Sequence, residues 1–125
     1  MTSTLTQQAQ AFKECPCCGK PWLTREMFLS DPAIEIVGYQ VTFNELELGY
    51  FLFNHLVDDC GTTMAVEAGD FKDLYNGPIY SNPLTNTEQC LEYCLNKYDL
   101  RPCTAECVCA WTREIIQIIL HWRKN

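Results

Sequence analysis

A chain of 125 residues, 47% hydrophobic and 20% charged, has the composition of an ordinary globular protein, and its length predicts a single domain over 1–125. The formal net charge of −7 argues against nucleic acid as a partner, because an acidic surface repels phosphate. No apolar run approaches the roughly 18 residues that span a bilayer, so no membrane partner is expected either.

Residues 1–13 read as a polar lead-in, a frayed helix ending at Phe12. No secretory signal is legible in Met1–Gln10, which predicts a cytoplasmic protein whose thiols stay reduced. Cys15-Pro16-Cys17-Cys18-Gly19-Lys20-Pro21 is a turn, since prolines and glycine exclude regular structure there. Residues 24–30 predict a short helix with Thr24 as N-cap, stopped by Asp31-Pro32. Three strands follow, at about 33–43, 49–57 and 62–68, and predict an antiparallel meander. Apolar parity in the first strand switches from Ile34 and Ile36 to Val37, Tyr39, Val41 and Phe43, which predicts a β-bulge at Val37-Gly38. Asn44–Leu48 and Asp58–Gly61 supply the two connections.

Asp70 is placed to cap a one- or two-turn helix through Tyr75, ended by Asn76-Gly77-Pro78. A helix is predicted over 88–97, capped by Asn86 or Thr87, and a last helix over 105–123 with Thr104 as N-cap. Val108, Trp111, Ile115, Ile118, Ile119 and Trp122 recur on it at helical spacing. Ile116 and Leu120 lie off that stripe. The helix is therefore either sandwiched inside the fold or presents a second apolar strip to a protein partner or a second copy.

Nine cysteines carry the chemistry. Cys15, Cys17 and Cys18 form one cluster, and Cys90, Cys94, Cys103, Cys107 and Cys109 form another. Thiols gathered this closely, in an odd number and in a reducing compartment, point to metal or redox chemistry rather than a paired disulfide framework. Cys60 reads as an isolated small buried thiol. His55, in phase with the apolar residues of the second strand, reads as a core histidine. His121 reads as a surface group balancing a helix dipole.

Cys15-Pro16-Cys17-Cys18-Gly19 resembles the zinc knuckle of zinc-ribbon and treble-clef proteins. That resemblance implies Cys15 and Cys18 as ligands, with Cys17 as a substitute for either. A knuckle supplies two ligands and a closed zinc site needs four, so the others must come from the second cluster, from Cys60, or from His55 or His121. In the second cluster, Cys90 and Cys94 sit i,i+4 on the predicted helix, Cys103 precedes the last helix and Cys107 opens it. These four, with Cys109 as a substitute, are the expected metal ligands there, for Zn²⁺ or alternatively an iron–sulfur cluster. The paired Cys-x3-Cys spacing is also similar to the twin motif of helical-hairpin chaperones, which implies disulfides instead.

The sequence thus predicts an α+β fold in which a three-stranded meander (33–68) packs on a long C-terminal helix. Cysteine-rich, metal-bound ends at 15–21 and 86–125 flank it. The expected function is a small cytoplasmic metal-binding protein, with structural Zn²⁺ on thiolates, acting as a binding or regulatory module. An iron–sulfur or thiol redox sensor or electron carrier is the first alternative and a thiol enzyme the second. No catalytic acid–base pair is legible, and no small-molecule ligand is implied.

Overall fold

The computed structural model describes residues 11–84 and 87–125. The lead-in up to Gln10 and the Asn86 cap therefore lie outside the described residues. Two short antiparallel strands, β1 (Lys13–Glu14) and β2 (Pro21–Trp22), hold the first cysteine turn between them. The predicted turn is thus the tip of a hairpin, and Lys13, the last residue of the predicted lead-in, belongs to a strand. Helix α1 (Arg25–Ser30) follows, with the Thr24 hydroxyl accepting from the Met27 amide at 3.1 Å, as the sequence predicts. Its Phe28 and Leu29 are buried.

The meander is β3 (Ile34–Gln40), β4 (Tyr50–His55) and β5 (Thr63–Glu67), antiparallel in the order β3-β4-β5. The β3–β4 register slips between Ile36 and Gly38. That bulge is what the parity switch predicts, and it lets Ile34, Ile36 and Tyr39 all reach the buried face. Gly38 is required there. A Cβ on it would sit 2.8 Å from the Lys97 carbonyl oxygen, beside the 2.7 Å bond from the Tyr39 amide to that same oxygen. The strand ends at Gln40, three residues short of its predicted end, and Phe43 is exposed in the turn that follows.

One face of the sheet is buried. Phe51 and Phe53 of β4 pair with Val66 and Met64 of β5, and all four are inaccessible or nearly so. Thr63, Ala65 and Glu67 alternate outward. An aromatic layer crosses the buried face. Phe28 stands edge-on to Trp22 and Phe53 at 5.2 and 4.9 Å between centroids, and Phe71 packs on Phe51 at 5.6 Å. Such edge contacts add about 0.5–1.5 kcal/mol each beyond area burial.

Helix α2 (Ala110–Leu120) closes the core against β3 and against a 3₁₀ segment, Ala68–Leu74. Trp111, Ile115, Ile116 and Ile119 are buried on it. Of the two arrangements open for this helix, the structure shows the sandwiched one at Ile116, which the chain itself covers; Leu120 stays 44% exposed. The chain end returns to α1, where Lys124 Nζ donates to the carbonyls of Leu29 and Ile34.

Three helical expectations are corrected. The segment 68–74 is 3₁₀, begins before Asp70 and has no side-chain cap. No α-helix forms over 88–97. One 3₁₀ turn, Tyr93–Leu95, occurs there, preceded by Glu92 in the left-handed region at φ 64°. Within the segment the Glu92 amide bonds to the Cys90 sulfur, and just beyond it the Tyr98 and Arg101 amides bond to the Asn96 and Asp99 side chains. Amides committed to side chains are lost to a helical ladder. The last helix starts at Ala110 rather than 105, with Cys109 and not Thr104 at its N-cap. The Leu84 amide bonds the Cys107 sulfur and the Val108 amide bonds the Asn82 carbonyl, which ties this stretch to the loop at 82–84. Among the described residues no helix is long and apolar enough to cross a membrane.

Candidate metal centre

The first cysteine turn is shaped by its backbone. The Cys15 amide donates to the Lys20 carbonyl at 2.8 Å and the Gly19 amide to the Cys15 carbonyl at 2.9 Å. Gly19 sits at φ +80°, a conformation that a side chain would strain. The Cys18 amide points at the Cys15 sulfur at 3.5 Å, and the chain curls so that both sulfurs face the sheet.

The sheet meets them with two residues that the sequence leaves open as ligands but reads first as a core histidine and an isolated thiol. His55 ends β4 on its buried face, held edge-on against Trp22 at 5.0 Å, and its amide bonds to the Thr62 carbonyl. Cys60 lies in the turn that follows, which closes through a bond from its amide to the Val57 carbonyl and uses positive φ at Asp59 and Gly61. The Cys15 and Cys60 sulfurs are 3.6 Å apart. His55 Nδ1 lies 3.6 Å from the Cys60 sulfur and 3.7 Å from the Cys18 sulfur. All four ligand atoms fall within 4.8 Å of one another. A tetrahedral ion bound at about 2.3 Å to sulfur and about 2.0 Å to nitrogen sets such edges at roughly 3.5–3.8 Å. The four side chains could hold a metal ion.

The electrostatics agree with the geometry. Burial raises the Cys15 thiol, yet the amides of Cys18 and Cys17, with His55 and Cys60, outweigh it and hold Cys15 down at about 6. The Lys20 amide pulls Cys18 down, but burial and the neighbouring sulfurs of Cys15 and Cys60 push it up overall. Cys60 moves up in the same way, against the Thr62 amide. One thiolate forms readily and its charge resists the next. A cation that takes the place of the shared protons relieves that repulsion.

Cys17, the substitute ligand, is exposed and outside the four. Its amide serves Cys15 instead. His121 is exposed at the end of α2, bonded to the Gln117 carbonyl, and takes no part. The signal for His55 and Cys60 was a histidine on the apolar parity of a strand, followed five positions later by a cysteine in a tight turn. Only the pairing of β4 with its neighbours shows that this turn lies over the knuckle.

The second cluster is gathered separately. The Cys94 and Cys109 sulfurs are 3.4 Å apart, as are those of Cys109 and Cys107. Cys90 and Cys103 complete the wall of the same small cavity, about 10 Å³ in volume. The Cys109 thiol is pushed far up, by Cys94 first and then by burial, while Cys94 is held at about 6 by Cys109 and by the Arg113 guanidinium. All nine cysteines are free, so the disulfides implied by the twin-motif likeness are absent.

No family model matches the chain, and no curated protein or solved structure matches it.

Proposed function

We propose that Cys15, Cys18, His55 and Cys60 bind one structural Zn²⁺ ion, and that the protein is a small cytoplasmic binding or regulatory module rather than a catalyst. The observation that carries this is the completeness of the ligand set: three sulfurs and one imidazole nitrogen all within 4.8 Å of one another, with three of their separations, 3.6, 3.6 and 3.7 Å, at the edge lengths of a tetrahedron. Four protein ligands leave no open position for water or substrate, which is the mark of a structural zinc site. Soft thiolates with one imidazole favour zinc among common divalent ions. The ion would pin the hairpin of β1 and β2 onto the end of β4, joining the N-terminal segment to the sheet. Contact with a protein partner or a second copy would use the end of α2, where Leu120 is exposed near the exposed Leu56.

Metal analysis of the chain purified under reducing conditions tests the site. Cys60→Ser and His55→Gln are each expected to remove one zinc per chain, and Cys17→Ser none. Equal metal content in all three variants and the wild type would show that the sheet does not contribute to the centre.

A further inference from the structure

Beside Cys94, which lines the cavity between the loop at 90–107 and the start of α2, lies a buried cation with too few partners. Arg113 is fully buried. Its Nη1 donates to the Asp99 carbonyl, and its Nε and Nη2 have no hydrogen-bond partner among the described residues. The Asp99 carboxylate is bonded to Arg101, through Nε at 3.0 Å and Nη2 at 2.6 Å. The guanidinium lies instead beside Cys94, and the Tyr39 ring is 5.4 Å from it. The Tyr39 hydroxyl, near Cys94 and Cys109, is likewise buried without a partner. Three of the four orphaned buried polar atoms of the described residues therefore surround one nest of thiols.

A guanidinium stays charged in any protein interior, and a buried charge without a counter-charge costs several kcal/mol. The Asp99 carboxylate is near enough to feel Arg113 but accepts its hydrogen bonds from Arg101, so the groups left to lie against the guanidinium and supply negative charge are the sulfurs. Four thiolates on a dication carry a net charge of about −2. The N-terminus of α2, eleven residues long with Cys109 at its cap, adds a positive dipole end on the same side. Amides already point at two of the sulfurs, from Glu92 to Cys90 and from Leu84 to Cys107, both at 3.3 Å. Such N–H···S bonds orient and stabilise thiolate ligands.

We propose that Cys94, Cys107 and Cys109, with Cys90 or Cys103 as the fourth ligand, hold a second Zn²⁺ ion, and that Arg113 is the buried counter-charge of its thiolate shell. The site is independent of the first. A cavity of about 10 Å³ has room for one ion and not for a cluster of several irons and sulfides. Two edges, Cys94–Cys109 and Cys109–Cys107, are 3.4 Å, near the roughly 3.8 Å edge of a tetrathiolate tetrahedron, while no three of these sulfurs all lie within 4.8 Å of one another, so the ion would draw the remaining ligands in. On binding, the ion displaces the thiol protons to solvent, and no oxidation or reduction takes place.

Reconstitution of the full chain with Zn²⁺ under reducing conditions is expected to give two ions per chain. His55→Gln is expected to leave one. One ion in the wild type, lost entirely in His55→Gln, would overturn the second site alone; no ion at all would overturn both. Alkylation of the wild type, read by mass spectrometry, avoids variants that fail to fold. Zn²⁺ is expected to slow modification of Cys94, Cys107 and Cys109 at least tenfold, and equal rates with and without it would refute the assignment. Bound iron with inorganic sulfide at these cysteines would refute the single-ion site. Arg113→Met should weaken the second ion by roughly 10–100-fold and leave the first unchanged, with Arg113→Lys recovering much of the loss. Unaltered affinity in Arg113→Met would remove the counter-charge role.

Discussion

Removing metal from the first centre should destabilise the whole fold, and the size of the effect follows from where its ligands lie. Cys15 and Cys60 are 45 positions apart, and the Cys18–His55 pair is nested inside the same loop. An ion that ties them closes a loop of that length in any state that keeps it bound. For 45 residues the loop-closure relation gives an entropy of about 13 cal/mol/K, or about 4 kcal/mol at 25 °C. The bonds themselves add to this, since structural zinc contributes on the order of 10 kcal/mol or more to small metal-dependent folds. An unfolding entropy of about 2.1 cal/mol/K per residue, over 125 residues, makes 4 kcal/mol equivalent to about 15 °C in Tm. Thermal unfolding followed by circular dichroism, before and after a strong chelator and with thiols kept reduced, should therefore show a fall of at least about 15 °C. Re-addition of Zn²⁺ should restore it. An unchanged midpoint, with the metal shown by elemental analysis to have been present and then removed, would refute a structural role for the ion.

Three further outcomes follow from packing elsewhere in the fold. Gly38→Ala should cost about 1–3 kcal/mol in urea unfolding, because the added Cβ meets the Lys97 carbonyl at 2.8 Å and Leu52 Cδ1 at 3.1 Å; a wild-type midpoint would contradict that close approach. Asp31 accepts from Lys20, Trp22 Nε1 and the Ala33 amide; burial works against its charge, yet these bonds depress its pKa below the ordinary value. A depressed folded pKa gives stability that is present above about pH 4 and is lost as pH falls through the folded value, so the stability gap between wild type and Asp31→Asn should narrow in acid, and a gap that stays constant would refute it. If α2 mediates self-association, Leu120→Glu should shift sedimentation from dimer to monomer, with little effect on the fold of the single chain, in which Leu120 is exposed; a wild type that is monomeric at tens of micromolar (roughly where a weak dimer shows) would retire the dimer.

Much of the frame is local and was legible for that reason. The Thr24 cap needs only a hydroxyl three residues before an amide. The bulge at Val37 is written in the parity of apolar side chains, because a strand buries one face at a period of two. The meander follows from three such runs with turn residues between them. Cys15 and Cys18 form a pair because a proline and a glycine shape the turn that joins them. The 88–97 segment failed the same test. Local preference favours a helix there, but the Glu92 amide is taken by the Cys90 sulfur, the other amides close only single turns, and Cys94 is drawn toward Cys109 before α2. Tertiary contacts there outweigh a propensity worth only a few tenths of a kcal/mol per residue.

Sequence by itself determined the chemistry available: thiols in two groups, one in a knuckle-like turn, on an α+β chain with a single three-stranded sheet. Tertiary structure decided which groups meet. His55 has the same apolar neighbours in the chain whether it is a core residue or a ligand, and Cys60 is as isolated in the sequence as a spare thiol would be. Both become part of the centre only because antiparallel pairing fixes the end of β4 and its turn against the β1–β2 hairpin, some 37 to 45 positions away. Arg113 lies on α2 among apolar residues, and only its burial beside Cys94 shows a charge in need of an anion. Coordination depends on distance in space and fixes no spacing along the chain, so ligands contributed by separate elements are specified by packing.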